Sequence, residues 1–293
     1  MGYVYIVLAA TLWGMLGPAS RFALAEGVHP LELAFWRAAL AAALYGVHAA
    51  ALRRVRVAPR DLPAVLAFGL VGIALFFASY MQAVRLGGAS LAAVLLYTAP
   101  VWVALLAWLA GWETLSARKG LALALTLVGV AGLARAAGGE VRVGAGAVLW
   151  GLMSGVAYAT HYIFGKRYFP LYPTPTLFLY ALPVGALGLL PFFRFQPDKS
   201  LATWGVLVFL AAVPTYGAYL LYSAGLRRVE ATRAATVATV EPVVAAIAAY
   251  LVWGERLSVV GYLFAAVVLA GVLLTVAAGT DGEPSPPRPP LSR

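Results

Sequence analysis

The chain has 293 residues, of which 63% are hydrophobic and only 11% charged, with a formal net charge of +10 and no cysteine. A soluble domain carries about a quarter charged residues, so this composition excludes a water-facing globular surface, and the lack of cysteine excludes disulfides and thiolate metal sites. The Lys and Arg residues sit in short breaks between apolar stretches and are not interleaved with aromatics, which excludes a nucleic-acid surface and points to membrane topology and anionic headgroups.

A membrane span needs about 20 mostly apolar residues. The hydrophobic pattern predicts ten spans, over 3–24, 31–52, 63–85, 89–110, 117–135, 144–165, 174–194, 202–226, 231–252 and 257–279. The first has no basic flank before it and is too long for a signal-peptide core, so it reads as a retained span. It carries Leu12-Trp13-Gly14 and Pro18. The second carries Arg37, the third Tyr80 and Gln82, and the fourth Tyr97, Thr98 and Pro100. After the fourth comes Glu113-Thr114-Leu115-Ser116.

The sixth span repeats the opening as Leu149-Trp150-Gly151. It then places Ser154, Tyr158, His161 and Tyr162 on one face by steps of three and four. The seventh contains Pro183. The eighth holds Pro214 and a stripe of Thr215, Tyr219 and Tyr222. The ninth has a threonine stripe, Thr232, Thr236 and Thr239, from which Glu241 points away, followed by Pro242. Breaks carry turn signals, among them Leu86-Gly87-Gly88 and Ala137-Gly138-Gly139-Glu140. Residues 280–293, with five prolines, predict a disordered tail.

Self-similarity organises these spans. Shifted by 142 residues, 80–132 lies without a gap on 222–274, with 18 of 53 positions identical, including Tyr80/Tyr222, Pro100/Pro242, Glu113/Glu255, Ser116/Ser258 and Gly129/Gly271. The two Leu-Trp-Gly motifs match at a shift of 137. The predicted fold is therefore an all-α polytopic membrane protein. It has ten transmembrane helices in two five-helix repeats, 1–136 and 144–279. Five is odd, so the second repeat enters the membrane inverted. Thirteen Lys and Arg fall on the face of the chain ends and seven on the other, which predicts both termini in the cytoplasm of a cell-membrane protein.

Inverted repeats underlie many secondary transporters, because two halves can exchange conformations and so expose one site to either side. Pro100 and Pro242, at matching mid-span positions, read either as packing kinks or as hinges beside that site. Glu241, the acid clearly inside a span, reads either as a structural partner, with Arg37 as its candidate, or as a site for a substrate ammonium group or a coupled proton. Arg37 itself either snorkels or meets a substrate carboxylate. Single tyrosines fit an interfacial belt, and His161 fits a satisfied core histidine. As a set, Trp13, Tyr80, Gln82, Tyr97, Trp150, Tyr158, His161, Tyr162, Tyr219 and Tyr222 fit a substrate cavity of hydroxyls and rings, suited to a zwitterion or an aromatic body. Gly14 and Gly151 allow close helix approach.

The duplicated Leu-Trp-Gly, the mid-span Pro100 and Glu241-Pro242, and the twice-occurring Glu-x-Leu-Ser together resemble the EamA-type branch of the drug/metabolite transporter superfamily, over about residues 3–279. The resemblance implies a cavity lined by the first, third, fourth, sixth, eighth and ninth spans, and export of amino acids or related metabolites. Within the family the aromatic lining is similar to YddG-like exporters of aromatic amino acids. Ala99 stands where the second repeat has Glu241, so any coupling role for the carboxylate is asymmetric.

The expected activity is therefore secondary transport of amino acids, aromatic ones included, or small metabolites by alternating access. The alternatives are efflux of cationic drugs and, more distantly, a non-transport bundle. The expected partners are a small-molecule substrate, the lipid bilayer and a coupled proton, with no oligomer required. No cofactor, metal site, ATP signature or catalytic constellation is read, so no enzyme activity is expected.

Overall fold

The computed structural model describes residues 1–136, 138 and 142–278; the predicted tail from 280 and the Gly139-Glu140 break lie outside them. Ten apolar helices long enough to cross a bilayer follow one another. They are α1 (Gly2–Ala25), α2 (Pro30–Ala51), α3 (Leu62–Gly87), α4 (Ala89–Leu109), α5 (Ala117–Ala136), α6 (Ala145–Tyr168), α7 (Thr174–Phe192), α8 (Leu201–Leu226), α9 (Ala231–Trp253) and α10 (Val259–Ala277). The predicted spans match these to within a few residues. We call the end of the bundle that carries Gly2 the first face and the opposite end the second face.

Local chemistry sets the helix ends. Pro30 opens α2, and His29 Nδ1 accepts from the Leu31 N–H at 3.2 Å, supplying one of the partners a helix start lacks. Ser200 Oγ does the same for the Thr203 N–H at 3.0 Å at the start of α8. Gly88, at φ +85°, reverses the chain between α3 and α4 in one residue, a conformation that a side chain at this position would strain.

Several helices are broken at bilayer depth. A π-helical segment interrupts α3 at Gly69–Leu75 and α8 at Ala212–Gly217. The two segments superimpose in sequence under the 142-residue shift, and Pro214 lies inside the second. The fourth and ninth helices break at Tyr97-Thr98 and Thr239-Val240, again at matching positions. At these breaks the Thr98 N–H donates to the Leu95 carbonyl and the Val240 N–H to the Val237 carbonyl, each at 3.2 Å. Both outgoing segments carry proline as their second residue, Pro100 and Pro242, where the missing N–H costs no helical hydrogen bond. The first helix also breaks, at Met15, whereas α6 runs unbroken. Pro183 sits inside α7 without ending it.

Packing between the halves comes in matched pairs. The third helix packs on α6 as α8 packs on α1, α4 on α6 as α9 on α1, and α3 on α7 as α8 on α2, while α2·α7 and α5·α10 are their own counterparts. The α5·α10 contact resolves this to single atoms. A methyl group placed on Gly129 would lie 2.7 Å from the Val268 nitrogen and 3.1 Å from the Phe264 carbonyl oxygen. One placed on Gly271 would lie 3.1 Å from the Thr126 nitrogen and 3.0 Å from the Ala122 carbonyl oxygen. Adding 142 to Ala122, Thr126 and Gly129 gives Phe264, Val268 and Gly271, so the contact is reciprocal. It runs antiparallel, since Ala136 meets Gly261 at the opposite end from Ala122 and Gly271. Small residues permit this approach where lipid offers no hydrophobic drive between helices. Gly14 likewise lets α1 approach Val244 on α9, and Gly151 lets α6 approach Leu95 on α4.

Candidate functional site

The helix breaks set one carboxyl group at the centre of the bundle. Glu241 is the first residue of the segment that follows the α9 break, so its carboxyl group sits at a helix N-terminus, where unpaired N–H groups favour negative charge. On the preceding segment two hydroxyls of the threonine stripe turn back on their own helix. Thr236 and Thr239 bond back to the carbonyls of Thr232 and Thr236 at 2.9 and 2.6 Å, and all three threonines are buried.

Around Glu241 the structure gathers tyrosines from four helices. Tyr97 is its hydrogen-bonding neighbour, and Tyr80, Tyr158, Tyr162 and Tyr219 lie within its electrostatic reach. Arg37 supplies the opposite charge at longer range, acting on both Glu241 and Tyr219. Among the described residues no ion pair joins Arg37 to Glu241; the guanidinium lies instead 4.6 Å from the Phe77 ring centroid. The suggested structural pairing of the two is therefore not what is seen. Each charge is held by aromatic side chains, and neither cancels the other in a closed contact. Tyr97, Pro100, Tyr158, Tyr162 and Thr239 wall a crevice too narrow in this conformation to admit a water molecule.

Toward the first face the site is sealed by rings. His161 stacks on Tyr219 with centroids 6.0 Å apart and meets its hydroxyl at 3.3 Å. Trp13 packs against Tyr219 and Tyr222 at 5.7 and 5.4 Å, and Tyr162 meets Tyr222 edge-on at 5.4 Å. Trp13, His161, Tyr162 and Tyr222 are buried, whereas Arg37, Tyr80, Gln82, Tyr97 and Glu241 keep partial exposure.

Twelve of the fourteen singled-out residues occupy this region or its helix breaks, counting Pro100 and Pro242. Among the described residues, Trp150 and Gln82 make no ring or hydrogen-bond contact with it, although both are half-buried on helices that reach it. Phenylalanines were not singled out, yet Phe76 stacks on Tyr158 at 5.4 Å, Phe178 stacks on Tyr219 at 4.7 Å, and Phe77 underlies Arg37. In an apolar span a phenylalanine carries no signal that separates a cavity wall from a lipid-facing filler. Buried Tyr45, whose hydroxyl donates to the Tyr216 carbonyl at 2.8 Å and whose ring stacks on Phe178, was not singled out either.

Comparison with known proteins agrees with the fold. Residues 1–135 and 145–277 each match the model of the EamA-like transporter family. An uncharacterized transporter of Archaeoglobus fulgidus is 31% identical over 273 residues, covering 93% of this chain and 95% of that protein. The uncharacterized transporter YdfC of Bacillus subtilis is 26% identical over 272 residues, covering 90% and 87%. A protein of known crystal structure, 18% identical, shares the fold with a TM-score of 0.82, covering 96% of this chain and 99% of its own.

Proposed function

We propose that this chain, which belongs to the EamA-like transporter family, exports amino acids, aromatic ones included, or related small metabolites by alternating access of two inverted halves. That it is a multi-pass membrane transporter follows from the family and from its ten apolar helices. The observation that carries the finer reading is that Glu241 and Arg37, not paired with each other, each sit against an aromatic side chain, Tyr97 beside the one and Phe77 beneath the other. A zwitterion needs an acceptor for its ammonium group and a donor for its carboxylate, and a low-dielectric site strengthens both contacts. The rings around them offer an apolar body stacking partners.

The paired packing and the reciprocal antiparallel contact of α5 with α10 support two halves related by a two-fold axis in the membrane plane. The Lys and Arg distribution supports the first face as cytoplasmic. Glu241 is the group that would carry a coupled proton, and the chain's own residues supply both substrate contacts.

The test is counterflow in proteoliposomes with a panel of amino acids, with and without a pH gradient. Saturable exchange of aromatic or other amino acids is expected. Movement of cationic dyes without any amino acid would replace this reading with drug efflux, in which Glu241 meets the cation alone.

A further inference from the structure

The two Glu-x-Leu-Ser glutamates occupy matching positions, yet they are engaged differently. Glu113, on the first face, is buried, and its Oε1 accepts from the backbone N–H of Thr232 at 3.1 Å. Thr232 is the second residue of α9, so the carboxylate caps the start of a helix in the other half. Lys119 closes the same seam, with Nζ 3.3 Å from Glu113 Oε2 and 3.0 Å from Glu230 Oε2. Lys166 ties α6 to it by donating to the Val229 carbonyl at 2.6 Å.

On the second face, Glu255 is half exposed and pairs with the equally exposed Arg21. It caps no helix. Subtracting 142 from Thr232 gives Ser90, the second residue of α4, on the same face as Glu255. The N–H of Ser90 lies in the first turn, where no intrahelical carbonyl reaches it.

We infer that the two glutamates are alternating latches: Glu113 holds the first face shut by capping α9 at Thr232, and Glu255 holds the second face shut by capping α4 at Ser90 in the opposite state. The inference rests on the alternating-access reading above and adds the contacts that hold each state. If the halves exchange conformations, the contact that Glu113 makes now is the one that its counterpart must make afterwards. Until then Glu255 is parked on Arg21 in water, where an ion pair is weak and easily given up.

The latches are unequal. Lys119 and Glu230 correspond to Gly261 and Gly88, so the second face has no counterpart of the buried ion pair. This biases the resting protein toward the described state, with the first face closed.

The absence of native cysteine makes spin labelling direct. Exposed positions Ala117 and Arg227 report on the first face, and their counterparts Val259 and Arg85 report on the second. Distances within each labelled pair are measured by pulsed electron resonance in nanodiscs. Glu113→Gln is expected to lengthen the first-face distance and shorten the second-face one, moving the ratio of the two states about fivefold, as loss of one cap does. Glu255→Gln and Ser90→Pro are expected to move both distances the other way.

Ser90→Pro keeps a backbone this chain already uses, with proline second in a helix at Pro63, Pro100, Pro175 and Pro242, but it also removes the Ser90 hydroxyl's bond to the Gly138 carbonyl at 2.8 Å. Ser90→Ala, which loses that bond and keeps the N–H, is the control and is expected to leave both distances unmoved. If Glu113→Gln does not fold, Glu230→Gln loosens the same face by removing one partner of Lys119. If loosening the first face changes the distances but Glu255→Gln and Ser90→Pro do not oppose it, the latch assignment is overturned while alternating access stands. If neither pair moves in any variant, the alternating-access reading fails and takes the latches with it.

Discussion

Glu32 and Lys199 form an ion pair of 2.6 Å whose side chains are sealed from solvent, joining the start of α2 to the loop before α8. The carboxylate also accepts from the Trp36 indole N–H at 3.2 Å and the Gln196 backbone N–H at 3.0 Å, and the ammonium lies between the Trp36 and Trp204 rings. Removing one partner strands a buried charge, at a cost of about 3–5 kcal/mol. Lys199→Met is therefore expected to lower the unfolding midpoint in detergent sharply. The double variant with Glu32→Leu should recover part of that loss. A single variant no less stable than the double one would show that the pair is not buried in the folded protein.

Glu26, in the α1–α2 loop, accepts from Ser200 Oγ at 2.7 Å and from Thr203 Oγ1 at 2.5 Å. The Thr203 and Ser200 hydroxyls, in that order of effect, hold its carboxyl below the ordinary value of 4.5. A carboxylate with a depressed folded pKa contributes its stability above the unfolded pKa, and loses it as pH falls through the folded one. Melting temperature should therefore drop on acidification below about pH 4.5, and Glu26→Gln should flatten that part of the profile. A wild-type profile and a variant profile of identical slope there would discard this contribution.

The close packing of α5 on α10 predicts a contrast between two glycines on one helix. A methyl group on Gly132 would lie 2.1 Å from the Phe264 ring, whereas one on Gly120 meets nothing within 4 Å. Gly132→Ala should cost about 1–3 kcal/mol through overpacking. Gly120→Ala should be neutral or stabilising by up to about 1 kcal/mol, because it removes backbone freedom from the unfolded chain. Chemical denaturation of the two variants side by side decides it.

At the candidate site, Glu241→Gln keeps size and hydrogen-bonding capacity but removes the charge. Exchange should persist with a raised KM for amino acids, while its response to a pH gradient disappears. An unchanged pH response would return Glu241 to a structural role beside Tyr97.

Arg37→Lys and Arg37→Gln separate charge from shape. A planar guanidinium over Phe77 pairs with a carboxylate in two-point fashion, which an ammonium cannot reproduce. Loss of one charged contact raises KM about tenfold or more. The glutamine variant is expected to do so for amino acids but not for their decarboxylated amines. Equal losses for acids and amines would argue that Arg37 acts on the fold and not on the substrate.

Much of this molecule was legible before any coordinates. Span number and position follow from apolar length alone, because the bilayer dictates both, and Pro100 with Pro242 stand just after the two breaks, where the first turn of a helix accepts proline. The tyrosines of α6 and α8 announced a shared face through their spacing by three and four. Sequence could not say what those faces meet. The role of Phe77 beneath Arg37, the contact of Glu113 with the Thr232 backbone 119 residues away and the burial of Glu32 with Lys199 all join elements distant in the chain.

The deeper division lies between period and partner. Repetition, helix length and charge bias are properties of one-dimensional order, and the residues carry them whatever the packing. Whether Glu113 and Glu255 are engaged alike depends on which face of the bundle is closed. Identical residues at identical repeat positions carry no record of that. Only the tertiary structure decides it, because capping a helix takes a backbone N–H brought within about 3 Å by the docking of two halves, and one conformation can supply it at only one end.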